Sequence, residues 1–306
     1  MEKTSQSERD SIIARNEKME SEFQTKFFKL IKETRVPGGN NTAIQGGQGN
    51  PSQGGQGAAA GSNLQGLYGN VYFIKTDRVV VEFNGKTVES KYGITATGFL
   101  LSDGSFVTAR HVVEPWYFLD KNSGDEEKGF NMILSNGGKV THYFTAYSPA
   151  GGSISFKSTD FAVDRSQDVV NKVMMEDSTQ MLVTIGTGSL ENGKDWAVAK
   201  TDLKNGLAFN VELSHSLTAA TKLYVLGYPW GMGVNNRSDF KPLYNECQVA
   251  RDGLDNGKID ISSRGFDHGN SGGPVFALVD NQYYVVGIVS AEVGAQGYFV
   301  PLASIH

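Results

Sequence analysis

From Leu67 onward the chain is written in short β-rich runs that end on turn signals, and this punctuation limits its fold more than any other feature. Val71–Ile74, Arg78–Phe83, Gly98–Ser102, Lys222–Gly227 and Tyr283–Ser290 have strand length and are rich in β-branched and aromatic residues. Asn84-Gly85 closes the second run and Asp103-Gly104 the third. Such dipeptides supply the left-handed backbone that tight hairpin turns require. The pattern argues against βαβ repeats and for an all-β sandwich or a pair of barrels. Residues 67–306 suffice for two small antiparallel β-barrels packed together.

Two unlike segments precede this region. Residues 1–35 are charge-rich, and Ile12, Met19, Phe23, Phe27, Leu30 and Ile31 recur at helical spacing to give one apolar stripe. Ser5 and Glu8 stand at capping-box separation. An isolated helix of this length is marginal in water, so it needs a partner. Two outcomes are open: it docks on its own domain, or residues 5–35 join copies of the chain or a partner protein. Asn16 and Lys26 interrupt a seam of barely three heptads, so a long coiled coil is not expected. Residues 36–66 follow without one charged side chain and carry the near-repeat Gly46-Gly47-Gln48-Gly49 and Gly54-Gly55-Gln56-Gly57. So little apolar surface cannot offset the entropy of ordering, and a flexible linker is expected. The chain's 37 glycines, against roughly 21 at average usage, therefore divide between this linker and the turns of the β region.

The formal net charge of −5 provides no basic field for nucleic acid or an anionic membrane, and neither is expected as a partner. The lone Cys247 cannot close an intrachain disulfide, and no apolar run of leader or spanning length follows Met1. A cytoplasmic location is the expectation. His142, His215 and His306 lack ligand spacing, so neither a metal nor another cofactor is expected. Asp125-Glu126-Glu127 reads as a solvated loop, and Cys247 as structural rather than reactive.

The segment with the sharpest chemistry is Asp267-His268-Gly269-Asn270-Ser271-Gly272-Gly273-Pro274. A nucleophilic serine needs an accessible hydroxyl and backbone N–H donors aimed at a developing oxyanion. Glycine at 269 lets the chain turn so that its own N–H and that of Ser271 enter one pocket. Upstream, Thr108-Ala109-Arg110-His111 ends a strand on a base that titrates near neutrality. A carboxylate must orient that imidazole, and two aspartates stand ahead of apolar strands between His111 and Ser271. These are Asp160, before Phe161-Ala162-Val163, and Asp195, before Trp196-Ala197-Val198. Asp195 is preferred for the Thr201-Asp202 and Lys222–Gly231 context that follows it, and Asp160 stays in contention.

In order, T-A-R-H, D-W-A-V-A-K, V-L-G-Y-P-W-G and G-N-S-G-G-P resemble the chymotrypsin-fold (trypsin-like) serine peptidases, most closely the Deg/HtrA branch. The resemblance covers roughly residues 67–306 and implies two six-stranded barrels with a catalytic cleft between them. It casts His111 as general base, Asp195 as its orienter and Ser271 as nucleophile. Gly269, Asn270 and Ser271 become the oxyanion hole. It implies a serine endopeptidase acting on protein or peptide substrates through an acyl-enzyme, with the N-terminal helix as a regulator. The alternative is a weak or latent peptidase-fold scaffold or binding protein. Asn270 replaces the aspartate that digestive relatives carry there, so activation by N-terminal cleavage is not expected. The stretch 144–193 reads as an insertion, and a PDZ domain after Leu302 is not expected. By the same resemblance the specificity pocket is walled by Gly265, His268, Ser290 and Glu292. With glycine at 265, it implies a small or apolar residue before the scissile bond.

Overall fold

The computed structural model describes residues 63–119, 123–166, 168–174, 181–186, 193–229, 240–262, 269–293 and 296–305, with backbone alone for 169–174, 181–186, 292–293 and 296. The N-terminal segment 5–35 and the linker up to residue 62 lie outside them. A 3₁₀ turn, Leu64–Asn70, leads into the first strand, capped where the Asn63 side chain accepts the Gln65 N–H.

The first sheet uses β1 (Val71–Phe83), β2 (Lys86–Ser90), β3 (Thr95–Leu100), β4 (Ser105–Thr108), β5 (Lys139–Tyr147), β6 (Ser153–Lys157), β7 (Ala162–Val163) and β10 (Ala197–Lys200). Its order is β6-β5-β1-β3-β4-β10-β7, with β2 also paired to β1. The expected Asn84-Gly85 hairpin forms, with both residues at positive φ and Phe83 opposite Lys86. β1 is long enough to serve two partners along one edge: Val71–Lys75 pairs with β3, and Val79–Phe83 pairs with β2. A bulge between Thr76 and Arg78 in its ladder with β5 separates the two halves. This corrects the six-stranded expectation for the first barrel. The sheet has eight strands and, among the described residues, stays open between β6 and β7.

The second unit is a closed six-stranded barrel, β11-β12-β13-β16-β15-β14. Its strands are β11 (Lys222–Gly227), β12 (Leu243–Val249), β13 (Ile259–Ser262), β14 (Pro274–Val279), β15 (Gln282–Val293) and β16 (Gln296–Pro301). β8 (Val169–Met174) and β9 (Met181–Gly186) form a separate hairpin. Among the described residues, three short helices are α1 (Arg110–Val113), α2 (Asp125–Ser135) and α3 (Val211–His215). The architecture is all-β, an open and a closed antiparallel barrel packed together.

Each barrel has its own apolar interior, and a further cluster joins them. Val71, Phe73, Phe99, Leu101 and Val107 of the first meet Tyr224, Leu226, Tyr228, Phe276 and Ile288 of the second. Burial of each large side chain here stabilises the pair by ~1.5–3 kcal/mol. Tyr228 anchors the seam: its ring meets Phe73 edge-on and its hydroxyl donates to the Val71 carbonyl across 3.1 Å. The two barrels are thereby fixed where β1, β3 and β4 of the first meet β11, β14 and β15 of the second.

Two expectations change. Asp125-Glu126-Glu127 is the first turn of α2, not a solvated loop. Acidic side chains suit a helix N-terminus, and these also accept hydrogen bonds: Glu126 from Ser90 at 2.7 Å, Glu127 from Tyr92 at 2.6 Å. The same side of the helix, one and two turns on, buries Phe130 and Ile133 against Val79, Val81 and Trp116. The stretch 144–193 is an insertion only in part, because the end of β5 together with β6 and β7 belongs to the first sheet. The hairpin β8–β9 is what stands outside it.

Candidate active site

Strand register brings the first two candidate residues together. β10 pairs antiparallel with β4, Ala197 opposite Thr108. Two residues before Ala197, Asp195 therefore lies beside the start of α1, where His111 follows Arg110. Its carboxylate is fully buried and grips His111 twice: Oδ1 accepts the backbone N–H at 2.9 Å, and Oδ2 pairs with imidazole Nδ1 at 2.9 Å. The N-cap residue Ala109 has no side chain to satisfy the orphan donors of that helical turn, and Asp195 supplies an acceptor from another strand. One carboxylate thus sets both the backbone and the ring of His111. A third donor, Ser290 Oγ, reaches Asp195 Oδ2 at 2.5 Å. Burial pushes the Asp195 carboxyl up, but the His111 charge and the hydrogen bonds from His111 and Ser290 outweigh it and hold it below the usual carboxylate range.

The Ser271 turn is moulded onto the first barrel. The Thr97 N–H donates to the Ser271 carbonyl at 3.0 Å, and the Gly272 N–H to Val289 at 2.8 Å. Thr97 Oγ1 donates to the Gly269 carbonyl at 2.6 Å and accepts the Tyr228 N–H at 3.0 Å. Gly272, at φ +82°, lies so close to the strand before His111 that an added Cβ would sit 2.1 Å from Thr108 Oγ1 and 2.9 Å from Ala109 N. Gly269, at φ +103°, adopts backbone that favours glycine. Ser271 stays half-exposed, and the His111 side chain is 20% exposed. Both are open to a ligand while their supports are not. The V-L-G-Y-P element acquires a physical reason: a side chain at Gly227 would collide with Asn270 Oδ1 at 2.3 Å.

The remaining sequence candidates separate. Asp160 is exposed and caps a 3₁₀ turn, its Oδ2 accepting the Lys157 N–H at 2.7 Å. It is Asp195 that holds His111. Ser290 directs its hydroxyl at Asp195, while Gly265, His268 and the Glu292 side chain lie outside the described residues. Cys247 is buried, and burial pushes its thiol up to about 12, which leaves almost no thiolate near neutral pH. Sequence reading missed Thr97 as the bracket between the barrels and Ser290 as the third donor on Asp195. Both act across 95 or more positions of chain, where no local pattern signals them.

The sequence profile of the trypsin-like peptidase domain matches residues 96–288, more than half of the chain. A search of curated protein sequences finds no match. Among solved structures, the chain is similar to the HtrA-type protease AlgW bound to a decapeptide, at 15% identity and a TM-score of 0.40, over 77% of this chain and 61% of that one. It is similar to the serine endoprotease from Yersinia pestis at 15% identity and a TM-score of 0.38, over 78% and 60%. A Glu endopeptidase matches at 17% identity and a TM-score of 0.45, over 81% of this chain and 92% of that one. The chain thus spans about 60% of the length of the first two structures.

Proposed function

This chain belongs to the trypsin-like peptidase family, and from that premise we propose that it is a serine endopeptidase that cleaves protein or peptide substrates through an acyl-enzyme. The observation that carries the reading is the buried Asp195 carboxylate on His111, set against the strand end where the Ser271 turn packs. In this mechanism His111 Nε2 accepts the Ser271 hydroxyl proton as Oγ attacks the substrate carbonyl, and the N–H groups of Gly269 and Ser271 receive the oxyanion. The protonated imidazole then passes its proton to the leaving amine. Water, activated by the same imidazole, hydrolyses the acyl-enzyme and restores Ser271. Asp195 keeps the Nδ1 proton in place and stabilises the imidazolium. Residues 5–35 are the proposed regulatory surface, acting through self-association or a partner protein.

The test is hydrolysis of an unfolded casein substrate together with labelling by an organophosphonate. Ser271→Ala is expected to lower turnover at least ~10³-fold and to abolish labelling at that position, with folding retained. Asp195→Ala should approach that loss, and Asp160→Ala should leave turnover near the parent value. Unchanged hydrolysis by Ser271→Ala refutes the reading, and a folded parent that neither labels nor hydrolyses is a scaffold.

A further inference from the structure

The proposed mechanism does not use the charged cluster behind His111. Arg110, the residue before it, has a fully buried guanidinium. Its fork closes on both oxygens of Asp168, Nη1 on Oδ1 at 2.7 Å and Nη2 on Oδ2 at 2.8 Å, and Nη1 also donates to the Asp164 carbonyl at 2.8 Å. Nε donates to Glu114, one residue past the end of α1, at 3.0 Å. The other Glu114 oxygen accepts from Arg165 at 2.6 Å, and the Tyr117 ring lies 4.9 Å from Arg110 and 5.5 Å from Arg165. At the far end Lys194, which immediately precedes Asp195, pairs with Asp164 at 2.5 Å.

Asp164, Arg165 and Asp168 lie between β7 and the β8–β9 hairpin, so one stretch of chain holds the residues adjoining both His111 and Asp195. A planar fork bound to two carboxylate oxygens fixes orientation as well as distance, which a point charge does not. Burial alone would lower the Arg110 pKa, but Asp168 and Glu114 raise it overall, and the cation persists. α1 is a single turn, so Arg110 and Glu114 together clasp its start and its end.

We propose that Arg110 is a positioning residue for His111. Clamped by Asp168 and Glu114, it seats the turn that carries the imidazole so that Nε2 meets Ser271. This rests on the peptidase reading above. A displacement of about 1 Å at a reacting group can cost ~10²-fold in rate, so the clamp should act on turnover rather than on substrate binding.

The experiment measures kcat and KM on a peptide substrate, with active sites counted by phosphonate labelling taken to completion, for Asp168→Asn, Arg110→Lys and the double variant. Thermal melts are run alongside. The expected result is a fall in kcat per labelled site of about 10- to 100-fold, with KM within about twofold of the parent. The double variant should be no worse than the poorer single one, since each breaks the same fork. Asp168→Glu, which keeps the charge, should recover part of kcat. A folded Asp168→Asn protein that turns over at the parent rate per labelled site overturns the proposal and leaves Arg110 a structural role only. If Arg110→Lys fails to fold, the two Asp168 variants decide the matter. A parent that is not labelled refutes the peptidase reading and the Arg110 assignment with it. A labelled, active parent beside an unaffected Asp168→Asn rejects the assignment alone.

Discussion

Acid should weaken this fold through one histidine that takes no part in the proposed chemistry. His142 on β5 is fully buried; Nε2 lies 2.9 Å from Thr76 Oγ1 and Nδ1 lies 3.4 Å from the Val113 carbonyl, at the end of α1. The neutral tautomer with its proton on Nδ1 suits both, donating to Val113 and accepting the Thr76 hydroxyl. Burial drives its pKa from 6.5 down to about 4, against the opposing pull of the Val113 and Val112 carbonyls. Because the folded value is the lower one, the unfolded chain takes up a proton between about pH 6.5 and 4 that the folded chain refuses, and stability falls as pH drops through that window. At ~1.4 kcal/mol per pH unit, the loss approaches ~3 kcal/mol near pH 4, a large share of the 5–15 kcal/mol typical of a domain. Urea unfolding between pH 7.5 and 4 measures it, in a Ser271→Ala background that prevents self-digestion. The same series on His142→Gln supplies the reference, since carboxylates titrate alike in both proteins and cancel. The parent should lose about 3 kcal/mol more than the variant across the window. Parallel curves would refute the argument and mean that water or a local opening reaches the ring.

Two substitutions test the supports of the site. Gly272→Ala forces a Cβ onto Thr108 and Ala109 at a φ of +82° and should cost at least ~2 kcal/mol in urea unfolding. An unchanged midpoint would show that the turn does not lie against β4. Ser290→Ala removes a donor from a buried carboxylate, a loss of ~1–3 kcal/mol that, carried into the transition state, lowers kcat by about 5- to 150-fold with KM unchanged. A parent-like kcat would mean that the two His111 contacts alone hold Asp195.

His111, Ser271 and the glycines around Ser271 are legible in the sequence because the chemistry they need is local: a turn, a short side chain, a strand end. Choosing between Asp160 and Asp195 is not a local question, since each precedes an apolar strand. Sheet order decides it. β10 lies directly beside β4, so Asp195 reaches the turn after Thr108, whereas β7 pairs with the far edge of β10 and holds Asp160 one strand away. The same limit explains α2, whose acidic first turn looks solvated until Ser90 and Tyr92, more than 30 positions upstream, provide its donors. Arg110 is the sharpest case. Nothing in its sequence neighbourhood marks it, and only the return of the chain at Asp164 and Asp168 turns it into a buried clamp. The reacting atoms are therefore written in short motifs, while groups that hold them in register sit 58 to 172 positions away and become visible only once the barrels have closed on them.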